Sequence, residues 1–211
     1  MLFNSFAFAV FLPVVLAVYY LLRDYRKQNA WLLASSLFFY GAWDWRFLFL
    51  LLFTIIVDYF VARRIQRLRD EDRALRQRRL LLAASILANL GVLAFFKYYN
   101  FFQDNVSSIA QWLDLPVGLP ALHVLLAIGI SFYTFQSMSY TIDVYRGHLR
   151  AADHFTDFAL FVSFFPHLVA GPIMRAVDLL PQILRPRRAT AEQAADGIQL
   201  MIWGFWKKMF V

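Results

Sequence analysis

Seven apolar runs, separated by short polar stretches, constrain this chain more than any other feature. They cover residues 3–22, 29–43, 45–62, 80–98, 121–142, 158–173 and 197–211. None alternates apolar and polar residues as a half-buried strand does. Hydrocarbon offers no water to backbone amides and carbonyls, so helices are the structures open to such runs. A span needs about 20 apolar residues, which the first and fifth runs supply at ordinary tilt. The second and sixth are short and suit tilted or re-entrant segments. The composition agrees: 61% of the residues are hydrophobic and the mean hydropathy is +0.53, against about 45–50% apolar residues in soluble domains. The fold expected is all-α, a polytopic transmembrane helical bundle of about five to seven membrane segments, with the lipid bilayer as its solvent.

The first run, MLFNSFAFAVFLPVVLAVYYLL, has no Lys or Arg ahead of its core and no small-x-small cleavage site. It reads as a retained helix rather than a signal peptide. There are no cysteines, which excludes disulfides, thiolate chemistry and cysteine-held metal or iron–sulfur sites. The histidines, His123, His148, His154 and His167, show no metal-ligand spacing, so no metal site is expected.

The net charge of +7 falls mostly between the apolar runs. Residues 63–79, RRIQRLRDEDRALRQRR, hold eight arginines and three acids. The positive-inside rule makes this stretch a basic cytoplasmic loop. Alternation puts RDYRKQ, residues 23–28, on the same side, and Asp44 with the 99–120 connection (Asp104, Asp114) on the other. The arginines are read as an orientation signal and a face for anionic headgroups, not as a nucleic-acid site. Trp31, Trp43, Trp45 and Trp112 fall near span ends, as interfacial tryptophans do. Residues 180–196 read as a surface linker ending in a helix start, with Thr190 and Gln193 spaced as a capping box.

Polar side chains within spans mark pathways, sites or interhelical contacts. Asp58 is read as an interfacial acid paired with Arg63 or Arg64, and Asn89 as an interhelical hydrogen-bonding group. In IGISFYTFQSMSYTIDVYRG, residues 128–147, Gln136, Ser139, Tyr140 and Asp143 lie on one helical face, with Ser131 and Ser137 off it. That stripe either lines a hydrophilic cavity or joins helices, with Asp143 and Arg146 paired at i, i+3. In SFFPHLVAGPIMR, residues 163–175, Pro166 removes an amide donor and Gly171-Pro172 terminates a helix. A broken or re-entrant helix is therefore expected near residues 163–175, shielded by protein or facing a cavity. His167, inside it, has the chemistry of a general base but no recognisable partner nearby in sequence. A structural or cavity-lining role is the reading for it. No Walker loop, dinucleotide glycine pattern or G-x-S-x-G is present.

At these residues the chain resembles the membrane-bound O-acyltransferase family, in its bacterial alginate O-acetyltransferase branch. The amino-terminal helices, GISFYTFQSMSYTIDVYRG, and FVSFFPHLVAGPIMRAVDLLPQI carry the resemblance, the last through Phe165, Pro166, Gly171, Pro172 and Ile173. It implies a bacterial inner-membrane, multi-pass enzyme. Such an enzyme passes acetyl groups from a cytoplasmic thioester, such as acetyl-CoA, toward hydroxyls of an extracytoplasmic polysaccharide, often with a periplasmic acetyltransferase as partner. No cofactor is bound. The family's members are longer, and their catalytic histidine lies well beyond the G-P-I block, so it is expected beyond Val211 and no catalytic residue is assigned within this chain. Residues 1–211 then correspond to the amino-terminal part of one membrane domain, inactive alone. Gln136, Tyr140, Asp143 and His167 are the candidates for lining or bracing the acyl path. Two other readings stay open: a non-catalytic membrane subunit for polysaccharide modification, and a fragment of a transporter, whose broken helices and midplane polar groups are similar.

Overall fold

The computed structural model describes residues 3, 5–71, 74–112, 129–168, 171–187 and 190–210. Among them the structure is an all-α membrane bundle. The helices are α1 (Phe6–Leu21), α2 (Tyr25–Gly41), α3 (Arg46–Asp70), α4 (Leu75–Trp112), α5 (Ile130–Arg146), α6 (Phe155–Ser163), α7 (Phe165–Leu168), α8 (Ala176–Ile183) and α9 (Ala191–Phe210). Helix α5 packs against α3, α4, α6 and α8, while α2 packs against α1, α3, α6 and α7.

The distribution of polarity fits a lipid surround. Asn29, Ser36, Asp58, Ser85, Ser137, Thr141, Asp157 and Ser163 are buried, whereas Phe6, Val14, Phe49, Phe53, Phe60, Leu87 and Leu90 face outward. Water would favour the reverse for both groups. Among the described residues, one helical stretch is both long and apolar enough to cross a membrane alone, Leu75–Tyr99; Phe6–Leu21 and Phe155–Leu168 are apolar but shorter.

Several boundaries differ from the sequence reading. The basic stretch 63–79 is not a loop at its ends: α3 runs through Asp70 and α4 starts at Leu75. Ala62, Ile65 and Leu68 keep one face of α3 buried, so the arginines occupy the other faces of a continuing amphipathic helix. Residues 72 and 73 of that stretch lie outside the described residues. The connection placed at 99–120 is helical as far as Trp112, because no Gly or Pro interrupts the sequence after Gly91 until Pro116. Asp114, His123 and the fifth run up to residue 128 lie outside the described residues. The surface linker at 180–196 begins inside α8, where Leu180 and Ile183 are buried. Its end matches the expectation: Thr190 and Gln193 exchange reciprocal backbone–side-chain bonds of 3.1 and 3.2 Å and start α9.

Trp43, Trp45 and Trp112 are exposed, and Trp31 is half-buried. Its Nε1 donates to Val15 O at 3.0 Å and ties α2 to α1. Gln28 Nε2 donates to Leu22 O at 2.8 Å and to Tyr19 O at 3.3 Å, so a side chain of α2 satisfies carbonyls at the end of α1. Asp44 accepts from the Arg46 amide at 3.0 Å and from its guanidinium at 2.8 Å. The guanidinium holds the Asp44 carboxyl below its ordinary value, so this cap is complete above that value and is lost as pH falls through the lowered one.

A second set of bonds fastens α2, α6 and α8 together. Asn29 Nδ2 donates to Asp157 Oδ1 at 2.7 Å and to Ile183 O at 3.1 Å, and Arg187 donates to Asn29 Oδ1. All the polar atoms of the Asn29 amide are thereby used in a buried site, as low polarity demands.

Candidate functional site

The broken helix is built, not merely interrupted. In a continuous helix the Phe165 amide would donate to Phe161 O, four residues back. Here Phe164 leaves the helical conformation at ψ 109 and separates α6 from α7. Both ends of the lost bond are satisfied by other helices: the Phe165 amide donates to Ser36 Oγ of α2 at 3.2 Å, and Gln136 Nε2 of α5 donates to Phe161 O at 2.7 Å. Pro166 has no amide hydrogen, so the next bond needs no donor. Phe165 itself inserts among Phe8, Phe11 and Phe39, with centroids at 6.4, 5.4 and 5.5 Å.

The single turn α7 is held from two sides by glycines. Gly129 has φ +80, and a Cβ there would stand 2.6 Å from Leu168 O. A Cβ on Gly171 would stand 2.4 Å from His167 Cα and 2.5 Å from His167 Cβ. The Gly171 amide donates to His167 O at 3.1 Å. Residues 172–175 then run without helix to α8. Val169 and Ala170 of the motif lie outside the described residues.

His167 is buried beside Gln136, whose Nε2 lies 2.8 Å from His167 Nε2. Phe161 O can only accept, which fixes the nitrogen of the Gln136 amide toward it and leaves the second amide hydrogen for the imidazole. With that amide orientation, His167 Nε2 accepts from Gln136 in the tautomer that carries its hydrogen on Nδ1. In this arrangement the imidazole nitrogen faces Gln136 of α5.

The rest of the α5 stripe divides. Tyr140 Oη accepts the Ala152 amide at 2.9 Å, and its ring lies 4.3 Å from that of Phe158. Asp143 pairs with Arg175 at 3.4 Å and with His148 Nδ1 at 3.6 Å. Its partner is thus Arg175, two residues past the G-P-I block, not Arg146. Ser139 bonds back to Gln136 O in its own helix. Gln136, Tyr140 and Asp143 are all buried and join α5 to the 147–175 region.

Asp58 corrects the sequence reading most strongly. It is fully buried and makes no contact with Arg63 or Arg64. Positions i+5 and i+6 point away from it on a helix. Arg63 instead donates to Tyr59 Oη at 2.9 Å. Asp58 accepts from Ser85 and Ser137, and from Asn89 Nδ2 at 3.0 Å to each carboxylate oxygen. One carboxylate thus joins α3, α4 and α5 through uncharged donors only. Ser85 and Ser137 were not singled out from the sequence for this. The available signal is the i, i+4 spacing of Ser85 with Asn89, and of Ser137 with Thr141, on otherwise apolar helices.

Among the described residues no cluster of potential metal ligands is found.

The chain is 44% identical over 215 residues to the "Probable alginate O-acetylase AlgI" of Pseudomonas aeruginosa, covering all of this chain and 40% of that protein. It is 40% identical to the protein of the same name from Azotobacter vinelandii, covering all of this chain and 41% of that one. It is 35% identical over 243 residues to the "Peptidoglycan O-acetyltransferase" of Helicobacter pylori, covering all of this chain and 44% of that protein. The chain spans about two fifths of the length of the curated relatives it matches. No family model matches it, and no solved structure does.

Proposed function

Since the chain belongs to the membrane-bound O-acyltransferase family, in the branch of the alginate O-acetylases, we propose that it forms part of a polysaccharide O-acetyltransferase. The observation that carries this reading is identity of 35–44% along the whole chain to proteins named for O-acetyl transfer. The donor is a cytoplasmic thioester, with acetyl-CoA as the obvious compound, and the acceptor is a hydroxyl of an extracytoplasmic polysaccharide. The hydroxyl oxygen attacks the thioester carbonyl and the carbon–sulfur bond breaks. A base takes the hydroxyl proton and passes it to the sulfur, which leaves as thiol. A periplasmic acetyltransferase is the expected partner. The protein sits in the inner membrane as a multi-pass bundle, with the arginines of 63–79 on the cytoplasmic side.

The described residues serve this reaction by bracing. Gln136 and Ser36 complete the break between α6 and α7, while Tyr140 and Asp143 hold the turn after α5 and the start of α8. The proton acceptor is assigned to a histidine outside residues 1–211, as the resemblance to the family implies.

Residues 1–211 expressed alone in a strain lacking the full-length protein should leave the polymer unacetylated; acetylation restored by this segment would overturn the assignment. Within the full-length protein, His167→Gln should retain more than about a tenth of the acetylation per molecule in the membrane, because general-base removal costs about 100-fold or more. A loss of that size at normal membrane level would make His167 the base.

A further inference from the structure

The end of α3 read as cytoplasmic carries a groove apart from the bracing residues Gln136, Asp143 and His167. This groove, of about 640 Å³, lies between the helix and residues 151–153, with Phe60, Arg63, Arg64 and Arg67 along one side. Asp70, Glu71 and Asp153 complete the lining. The opposite wall is fixed in place: Tyr59 Oη donates to Asp153 O at 2.9 Å, and the Ala151 amide donates to Gln66 Oε1 at 3.4 Å. Arg63 is committed to this scaffold through Tyr59 Oη and Asp153 O. Arg64 and Arg67 are exposed and make no hydrogen bond or ion pair among the described residues.

The groove's depth follows from the helix that bears it. Phe49, Phe53, Ile56 and Phe60 are exposed and recur at steps of four, three and four, one outward stripe that runs straight into Arg63, Arg64 and Arg67. From the exposed Trp45 to Arg63 the helix rises about 27 Å, close to the ~30 Å hydrocarbon thickness. Phe60 therefore lies at the edge of the hydrocarbon, and the arginines lie among the headgroups. The groove's three arginines are matched by three carboxylates, a balance that suits a zwitterion better than a polyanion.

We propose that this groove binds one membrane phospholipid by a zwitterionic headgroup of the phosphoethanolamine type. Arg64 and Arg67 hold the phosphate diester, Asp153 on the opposite wall and Glu71 at the end of α3 hold the ammonium, and an acyl chain lies along Phe60, Ile56 and Phe53. Guanidinium forks suit phosphate oxygens, and two arginines at i, i+3 share one helical face. The proposal rests on the membrane setting, not on the acetyl-transfer reading.

The test uses full-length protein in nanodiscs of equal phosphatidylethanolamine and phosphatidylglycerol, then mild detergent extraction and native mass spectrometry of retained lipid. Wild type should retain phosphatidylethanolamine, and R64Q/R67Q should retain about tenfold less, as expected on losing charge-assisted phosphate contacts. R64K/R67K keeps the charges and should stay within about threefold of wild type. R76Q/R79Q, on α4, should match wild type. Helical content and thermal midpoint, read in parallel, should be unchanged in all three. Unchanged retention in R64Q/R67Q, or equal loss in R76Q/R79Q, overturns the site. Preference for phosphatidylglycerol overturns the zwitterion. Equal binding of water-soluble glycerophosphoethanolamine or inorganic phosphate in detergent assigns the groove to a soluble ligand and overturns the lipid.

Discussion

Replacing Gly171 by alanine in the full-length protein is expected to remove most of the folded protein from the membrane. The added Cβ would meet His167 Cα at 2.4 Å and His167 Cβ at 2.5 Å. These atoms belong to the α7 turn itself, and no side-chain rotation can clear them. The turn cannot retreat, because Phe165 is packed among three phenylalanines and its amide is bonded to Ser36. Relief requires a main-chain shift through a packed region, at a cost of about 3 kcal/mol or more. Gly91→Ala is the matched control, since nothing lies within 4 Å of its Cβ position. A mid-helix Gly-to-Ala change there should be neutral or stabilising by up to about 1 kcal/mol. Membrane level and the thermal midpoint of detergent-purified protein read both. A Gly171→Ala protein with wild-type level and midpoint would show that the α7 turn is not fixed as described.

Asp58→Ala should be the most destabilising change among the buried polar side chains of α3. It leaves Ser85, Asn89 and Ser137 without their common acceptor at the meeting of three helices. Interhelical hydrogen bonds in membranes contribute about 0.6–1.7 kcal/mol each, and an orphaned buried donor adds its own penalty, so a loss of about 2–4 kcal/mol is expected. Asp58→Asn should lose less than half as much, because the amide oxygen still accepts and its nitrogen can donate to a serine oxygen. The decisive comparison is the triple replacement Asp58→Ala, Ser85→Ala, Ser137→Ala. Removing the orphaned donors along with their acceptor should recover part of the single-mutant loss. If the triple variant is less stable than Asp58→Ala by the full sum of the serine losses, the three helices are not joined through this carboxylate.

The helices were legible because their cause is local. Apolar runs without alternation, in a chain whose backbone must bond to itself, leave little choice of element. The break at 163–175 was legible for the same reason: Pro166 lacks a donor, and Gly171-Pro172 cannot continue a helix. The capping box at Thr190 and Gln193 was legible as a short-range exchange of two bonds. Element ends were read less well. The arginines of 63–79 look like a loop by charge, yet Ala62, Ile65 and Leu68 carry α3 on through them.

Nearness in sequence points Asp58 to Arg63 and Arg64, but nearness in space gives it Ser85, Asn89 and Ser137. Arg63 and Arg64 are close in number but on the wrong faces, whereas Ser85 and Ser137 are 27 and 79 residues away. Similarly, Asp143 looked paired with Arg146 one turn on, and the fold gives it Arg175, 32 residues away.

The sequence by itself determined an all-α membrane bundle and the place of its broken helix. These follow from rules acting over a few residues: backbone hydrogen bonding, proline's missing donor and the length of an apolar run. Only the tertiary structure decided what satisfies the break and what joins the helices. Phe161 O waits for Gln136 from α5, the Phe165 amide waits for Ser36 from α2, and Asp58 draws its donors from α4 and α5. In a medium that cannot hydrogen-bond, every buried polar group must find a partner, but which partner is a matter of helix packing, and packing is not written at any single position of the chain.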